Sequence, residues 1–162
     1  MKEIQLSTEG KSRGKHVALV DDEDFERLNQ YKWAVLKKKH TFYALRCISV
    51  DGKQSMRYMH CEILKGKGID HKDHNGLNNQ KNNLRFCTQR ENNMNRSKRE
   101  NTSSVYKGVS FFKESRKWRA QIMINGKVIH IGLFASEVDA AKAYNIKAIE
   151  LFGEFANLNI ID

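Results

Sequence analysis

The stretch DHKDHNGLNNQKNNLR, residues 70–85, is the part of the sequence that most limits the choice of fold. Eight of the 21 residues from Asn75 to Asn95 are asparagine, which favours turns, caps and ligand positions over cores. No apolar periodicity in this segment supports a free-standing helix or sheet. The segment must therefore be held by something other than a large core, such as hydrogen-bonded asparagine side chains or a metal ion.

The residues before this stretch, 1 to about 58, have the pattern of short β-strands. KEIQLS, HVALV and YALRCISV are runs of β-forming or alternating residues. A short helix is expected around DDEDFERLNQY, with Asp21, Asp22 or Asp24 as its N-cap. Asp51-Gly52-Lys53 is typical of a hairpin turn. The first part of the chain is therefore predicted to be β-rich.

The residues after the stretch, from about Ser104, predict three strands and one helix. The strands are VYKGVSFF, KWRAQIMI and KVIHIGLF, and Asn125-Gly126 between the last two is a strong hairpin signal. SEVDAAKAYNIKAIELFG predicts a helix with Ser136 as N-cap and Gly153 at its C-terminal end. One face of the second strand is expected to pack on this helix, and it is formed by Trp118, Ala120, Ile122 and Ile124.

Composition and charge limit the partners of the chain. Its 162 residues include 29 Lys and Arg against 19 Asp and Glu, giving a net charge of +10, the balance of a protein that binds polyanions. No stretch approaches the roughly 18 apolar residues of a membrane span, and the start lacks the apolar core of a signal peptide. The three cysteines form no C-x-x-C pair and suit the reduced thiols of a cytosol. We expect a cytoplasmic protein that uses neither a membrane nor zinc.

The order of Asp70-His71, Asn78-Asn79 and Asn83-Leu84 resembles the HNH, or ββα-metal, nuclease motif. Asn83 lies twelve residues after His71, and Asn92 follows nine residues later in a TQREN-like helix. The resemblance covers about residues 59–95. It implies a short hairpin and one helix that grip a divalent metal ion, and an enzyme that hydrolyses DNA phosphodiester bonds.

Phosphodiester hydrolysis needs a base for water, a cation on the scissile phosphate and a group that orients the base. His71 is the candidate base because imidazole titrates near neutral pH. The resemblance implies that Asp70 and Asn92 are the metal ligands and that Asn83 fixes the motif by hydrogen bonds. One carboxylate and one amide oxygen suit a single Mg²⁺, with Mn²⁺ as the alternative ion. The roles of His60, placed on the strand that enters the motif, and of His74 stay open.

The C-terminal part resembles the Apetala-type DNA-binding domain of plant ethylene-response factors. The resemblance runs from about 104 to 159 and rests on Tyr106–Val109, Lys117-Trp118, Ile131–Phe134, Ala140–Tyr144 and Phe152–Asn159. It implies that the sheet lies in the major groove of double-stranded DNA. Carried over by position, the DNA-facing residues are Lys107, Ser110, Arg119, Gln121, Met123 and His130. Lys107 and Arg119 are expected to contact phosphates and Gln121 an adenine edge. Ser110, Gln121, Met123 and His130 depart from the plant pattern, so the plant target sequence does not transfer.

A basic connector, RSKRENTSS, lies between the two resemblances. Its Arg96, Lys98 and Arg99 are expected to follow a DNA backbone. The predicted domains are 1–95 for the β-rich region and nuclease motif, 96–103 for the linker and 104–162 for DNA recognition. The predicted fold class is α+β, with a three-stranded antiparallel sheet packed on one helix after the nuclease motif. The whole arrangement resembles phage and bacterial HNH homing endonucleases.

The predicted function is therefore a homing-type DNA endonuclease whose C-terminal domain recognises the target. One metal ion per site cuts one strand, so a double-strand break needs two protomers, as in a homodimer, or two sequential nicks. A non-catalytic DNA-binding regulator is the alternative, and the filled catalytic positions disfavour it. A basic RNA-binding protein is a third hypothesis, which the lack of exposed aromatic stacking motifs disfavours.

Overall fold

The structure, a computed structural model, describes residues 1–7, 16–38, 41–95, 98 and 102–161. Its helices and small antiparallel sheets confirm the predicted α+β class. The described elements are, in chain order, β1 (Lys2–Gln5), β2 (Val17–Val20), α1 (Asp22–Asn29), β3 (Ala34–Lys37), β4 (Phe42–Val50), β5 (Lys53–Tyr58), α2 (Met59–Ile63), β6 (Ile69–His71), β7 (Leu84–Phe86), α3 (Gln89–Met94), β8 (Val109–Phe112), β9 (Lys117–Ile124), β10 (Lys127–Phe134), α4 (Glu137–Phe152) and a 3-10 turn (Gly153–Phe155).

The chain divides into two compact units, Met1–Thr88 and Gln89–Asp162. The sequence predicts a nuclease domain that ends at residue 95 and so includes α3, whereas the structure groups this helix with the second unit. Met94 packs against the buried side chains of that unit, and its carbonyl accepts a hydrogen bond of 3.0 Å from Lys107 Nζ. Asn157 Nδ2 donates to the carbonyl of Asn95 at 3.1 Å. These contacts explain why α3 belongs to the C-terminal unit.

The first unit has the β-rich character that its sequence predicts. β1 pairs with β2, β3–β4–β5 form a three-stranded sheet and β6 pairs with β7, all antiparallel. The predicted turn at Asp51 and Gly52 joins β4 to β5, and both residues have positive φ, 51° and 74°, as a tight hairpin turn requires.

Trp33 lies at the centre of the first unit's core. Its side chain is 1% exposed, and its Nε1 donates a hydrogen bond of 2.8 Å to the Leu28 carbonyl. This bond satisfies the one polar atom of a large apolar side chain. The buried residues of this core come from both ends of the unit and are Ile4, Leu6, Ala18, Val20, Leu28, Trp33, Ala44, Met59, Ile63 and Leu84.

Asp21 stands at the N-cap of α1, one of the three predicted positions. Its carboxylate makes no hydrogen bond to the helix. The carboxylate instead accepts from the backbone N–H of Lys81 at 2.8 Å and from Gln80 Nε2 at 3.3 Å. Asp21 thereby attaches the asparagine-rich stretch to the start of α1.

His60 lies on a helix, so its expected place on the strand entering the nuclease motif is wrong. β5 ends at Tyr58, and α2 begins at the next residue. The helical turn places Met59 and Ile63, four residues apart, on one face, and both are buried in the core.

From Ser104 onward, the second unit has the predicted three strands followed by one α-helix. The sheet order is β10–β9–β8, and α4 covers one face of it. Ser136 Oγ accepts from the backbone N–H groups of Val138 and Asp139 at 3.2 and 3.4 Å, which confirms the predicted N-cap. The expected contact between sheet and helix is also present, and it involves Trp118, Ala120, Ile122 and Ile124 on β9 with Ala141, Tyr144, Ala148 and Leu151 on α4.

Replacing Gly76 by alanine is expected to destabilise the first unit. A Cβ at this position would overlap the carbonyl oxygen of Phe42 and would lie 2.6 Å from the Tyr43 ring. Part of this contact is with backbone, which cannot move aside, so we expect a loss of about 3 kcal/mol in the free energy of unfolding. Urea denaturation measures it.

Gly52→Ala is the matched control. Gly52 has a positive φ, unlike Gly76, and a Cβ there meets nothing within 4 Å. We expect a cost of about 1 kcal/mol from the left-handed backbone alone. Equal costs for the two variants would contradict the close packing of residue 76 against β4.

Candidate active site

The hairpin of β6 and β7 carries the two residues at the start of the nuclease motif. Asp70 and His71 are the last two residues of β6, and both side chains are buried. Asp70 pairs with Arg85 and His71 with Leu84 in the antiparallel register. The two strands therefore hold a carboxylate and an imidazole next to each other at the end of a short hairpin.

The Asp73 carboxylate organises the loop that connects these strands. It accepts hydrogen bonds from the Asn75 backbone N–H at 2.8 Å, from Asn78 Nδ2 at 2.7 Å and from Asn83 Nδ2 at 2.9 Å. Burial alone would raise the pKa of Asp73, but these hydrogen bonds outweigh it and hold the pKa below its usual value. The loop is thus built around an ionised side chain.

Asn83 closes the loop on its other side. Its Nδ2 also donates to the Asn78 carbonyl at 2.8 Å, and its Oδ1 accepts from the Asp73 backbone N–H at 3.1 Å. Its own carbonyl accepts from the Lys72 backbone N–H at 2.9 Å. These bonds are of the kind that the resemblance implies for the middle residue of the motif.

Asn79 joins the loop to β2 and to His71. The Leu19 N–H donates to the Leu77 carbonyl at 2.8 Å, and the Asn79 N–H donates to the Leu19 carbonyl at 2.8 Å. The Asn79 side chain is 1% exposed, and its Oδ1 lies 3.4 Å from Nε2 of His71. Because an amide oxygen can only accept, this contact is a hydrogen bond when Nε2 carries the proton, which leaves Nδ1 as the basic nitrogen.

His71 sits in a cluster of aromatic rings. Its ring centroid is 4.9 Å from that of His60 and 5.8 Å from that of Tyr43, and Tyr58 stacks on His60 at 5.3 Å. Burial lowers the pKa of His71, and the Asn79 hydrogen bond and nearby carboxylates offset only part of this effect. Burial and the charge of His71 lower the pKa of His60 to about 3. Both imidazoles are therefore neutral at physiological pH.

Arg85 is a residue of the site that the sequence pattern does not predict. Its Nη2 and Nε donate to Oδ2 of Asp70 at 2.9 and 3.2 Å, and both side chains are 10% exposed. The two residues are directly opposite each other in the antiparallel pair β6–β7. Opposite charges at such positions attract, so this ion pair can be predicted once the strand register is known. Arg85 fixes the carboxylate that the resemblance assigns to the metal ion.

The two predicted metal ligands belong to different units. Asp70 lies beside His71 in the first unit, whereas Asn92 lies on α3 in the second. The carboxylate of Asp70 is the hard oxygen donor that a divalent cation such as Mg²⁺ prefers, so its chemistry fits the implied ion. In the described part of the chain, no three His, Cys, Asp or Glu side chains are grouped to hold a metal ion.

Lys107 lies outside the sheet, so its predicted place among the DNA-facing strand residues is wrong. β8 begins only at Val109. The Lys107 ammonium donates instead to the Met94 carbonyl, and burial lowers its pKa to about 8. Its backbone N–H and carbonyl are both bonded to the Asn159 side chain, which fixes this segment against the C-terminus of the unit.

The other predicted DNA-facing residues lie on the strands of the second unit. Arg119, Gln121 and Met123 alternate along β9 with the residues that pack on α4. Their antiparallel partners include Ser110 on β8, opposite Arg119, and His130 on β10, opposite Gln121. The structure therefore brings these five residues onto one face of the sheet.

Three residues of the basic connector are predicted to follow a DNA backbone, and the structure describes one of them. Lys98 is half-buried and lies in no helix or strand, whereas Arg96 and Arg99 lie outside the described residues. The three cysteines, Cys47, Cys61 and Cys87, are free thiols. No helix in the described ranges is long and apolar enough to cross a membrane.

Comparison with known proteins gives the class to which this site belongs. Residues 57–94, which contain the hairpin and α3, match the HNH endonuclease family. The uncharacterized HNH endonuclease L560 of Acanthamoeba polyphaga mimivirus is 37% identical over 158 residues, covering 93% of this chain and 79% of the relative. This chain therefore belongs to the HNH endonuclease family, whose members are nucleases that act on DNA.

Two shorter similarities involve parts of the chain. Protein 3.8 of Escherichia phage T7 is 40% identical over 65 residues, 40% of this chain and 54% of that protein. The AP2-like ethylene-responsive transcription factor TOE2 of Arabidopsis thaliana is 34% identical over 59 residues, 36% of this chain and 12% of the plant protein. No solved structure matches the chain.

Replacing Asn83 by alanine is expected to loosen the hairpin. The substitution removes three side-chain hydrogen bonds and leaves the Asp73 carboxylate without one of its donors. We expect a loss of about 3 kcal/mol in the free energy of unfolding, measured by urea denaturation. Asn82→Ala is the control, because Asn82 is exposed and is expected to cost less than about 0.5 kcal/mol. Similar losses for the two variants would contradict the role of Asn83 in the loop.

Proposed function

We propose that this chain is a metal-dependent DNA endonuclease in which His71 is the general base. The observation that carries the proposal is a buried, neutral His71 beside the Asp70 carboxylate on a hairpin locked by Asn83. Neutral imidazole can take a proton, whereas imidazolium cannot. Membership of the HNH endonuclease family supports the same chemistry.

Each residue of the first unit has a distinct task in this proposal. Asn79 orients the His71 ring through its contact with Nε2, and the neutral imidazole takes the proton of the attacking water. Asn83 keeps the loop closed, and Arg85 holds the Asp70 carboxylate in place. Asp70 would bind one divalent ion, Mg²⁺ or Mn²⁺, which polarises the scissile phosphate and stabilises the leaving oxygen. The products would be 5′-phosphate and 3′-hydroxyl ends. Asn92 is the second proposed ligand on the strength of the resemblance alone.

The second unit would recognise the DNA target. The short similarity to plant transcription factors and the strand and helix order of this unit support an Apetala-type domain. The free face of its sheet, with Ser110, Arg119, Gln121, Met123 and His130, would enter the major groove. A sheet with one face covered by a helix leaves the opposite face available for such contacts.

His71→Ala is expected to abolish DNA cleavage. Supercoiled plasmids carrying viral or host genomic fragments are incubated with Mg²⁺, and nicked and linear products are measured. We expect at least a 100-fold loss of rate, since a general base contributes typically about 10²- to 10⁴-fold. His16→Ala is the matched control, because its half-buried ring lies 4.7 Å from the Phe42 ring and has no proposed part in the reaction. EDTA is expected to stop cleavage by the unmodified chain.

The plasmid assay also tests the alternative function. Tight DNA binding without Mg²⁺-dependent cleavage by the unmodified chain would favour a non-catalytic regulator. Cleavage that survives His71→Ala would show that another group is the base. Mapping the product ends would show whether one strand or both are cut.

The cleavage rate is expected to persist below neutral pH. A general base works above its pKa, and burial holds the pKa of His71 below its ordinary value of 6.5. The acidic limb of the single-turnover rate should therefore have its midpoint below pH 6.5. A midpoint above 6.5, at saturating Mg²⁺, would contradict a buried neutral histidine as the base.

A further inference from the structure

The free face of the β8–β9–β10 sheet carries cations but no anions on its strands. None of the three strands contains Asp or Glu, whereas Lys117 and Arg119, which alternate with the residues of β9 that pack on α4, are basic. Arg119 is held against β8, with Nη2 3.4 Å from Ser110 Oγ and its guanidinium 5.3 Å from the centre of the Phe112 ring. This charge is complementary to the phosphates of DNA.

Two apolar side chains lie next to each other on the same face. Met123 and Val128 are directly opposite in the register of β9 and β10, and they are 54% and 55% exposed. The next pair along this face, on the side away from the Asn125-Gly126 turn, is Gln121 and His130. Two neighbouring exposed apolar side chains within a charged and polar surface need an apolar partner to become buried.

The major groove offers such a partner at only one base. Thymine presents a C5-methyl group there, whereas the other bases present only hydrogen-bonding edges. The adenine of the same base pair presents the N6 and N7 atoms that a glutamine amide can contact with two hydrogen bonds. Gln121 therefore has the matching chemistry two residues before Met123 on the same face.

We propose that this face selects A·T base pairs, with Met123 and Val128 against thymine methyl groups and Gln121 on an adenine edge. The inference rests on the proposed DNA-binding role of the second unit and adds its base preference. Arg119 supplies the phosphate contact beside these bases. His130 Nδ1 lies 3.4 Å from the Ala120 carbonyl, a contact that keeps this ring close to the sheet.

The first step of the test selects bound sequences from a random duplex library, using the full-length chain in EDTA so that no metal-dependent cleavage occurs. We expect enriched sequences to share a run of A·T pairs. The enriched duplex is then prepared with thymine or with uracil at those positions, because uracil lacks only the methyl group. We expect uracil to weaken binding about fourfold for each thymine methyl group that is removed from the interface.

The second step assigns the effect to the two side chains. Met123→Ala and Val128→Ala should each reduce the ratio between the thymine and uracil affinities, and the double variant should bring it to one. Met56→Ala and Val50→Ala are the matched controls, because these residues are 62% and 50% exposed on the first unit. The controls should keep the unmodified ratio. All four side chains are exposed, so the variants are expected to fold, which circular dichroism checks.

Several outcomes would overturn the inference. They are enrichment of G·C runs, equal affinity of the unmodified chain for the thymine and uracil duplexes, and an unchanged ratio in the Met123 and Val128 variants. In each case His71-dependent plasmid cleavage would still support the proposed function, so the two failures are distinguishable. A ratio of one in the control variants would also overturn it.

Discussion

The reciprocal hydrogen bonds between Asp73 and Asn83 are the constraint on which the candidate site depends. Each residue donates to the other, the side chain of Asn83 to the carboxylate and the backbone of Asp73 to the amide oxygen. The loop between β6 and β7 has few apolar side chains to bury, so these bonds replace a core as its source of order. This loop returns the chain to β7, and the pairing of β7 with β6 then holds Asp70 and His71 in position.

Burial then decides what the site can do. A histidine exposed on a chain of charge +10 would titrate near its ordinary pKa, whereas His71 is enclosed by aromatic rings and remains neutral. Asn79 ties the same ring to β2 through the loop backbone. The orientation of the His71 ring therefore comes from a polar contact with Asn79, whereas its neutral state comes from burial among aromatic rings.

The sequence predicted the parts of this molecule that depend on local pattern. Alternation in β9, the Asn-Gly turn and the Ser136 cap are local signals, and the structure has all three. Contacts that depend on strand register could not be predicted from the sequence. The ion pair between Arg85 and Asp70, for example, follows only once the length and closure of the β6–β7 loop are known. α2 was missed because its five residues are too few to show a helical period, and Lys107 was misplaced because the start of β8 depends on its pairing with β9.

Because α3 belongs to the second unit, the positions at which recombination between related chains can preserve folded units are limited. A six-residue helix does not persist alone in water, and α3 is held by Met94 on the C-terminal core and by the Lys107 ammonium on its last carbonyl. A crossover at the basic connector would separate this helix from both supports. A crossover between Thr88 and Gln89 would keep α3 with these supports but would divide residues 57–94, the stretch that matches the HNH endonuclease family, so neither position preserves both the folded unit and the family motif.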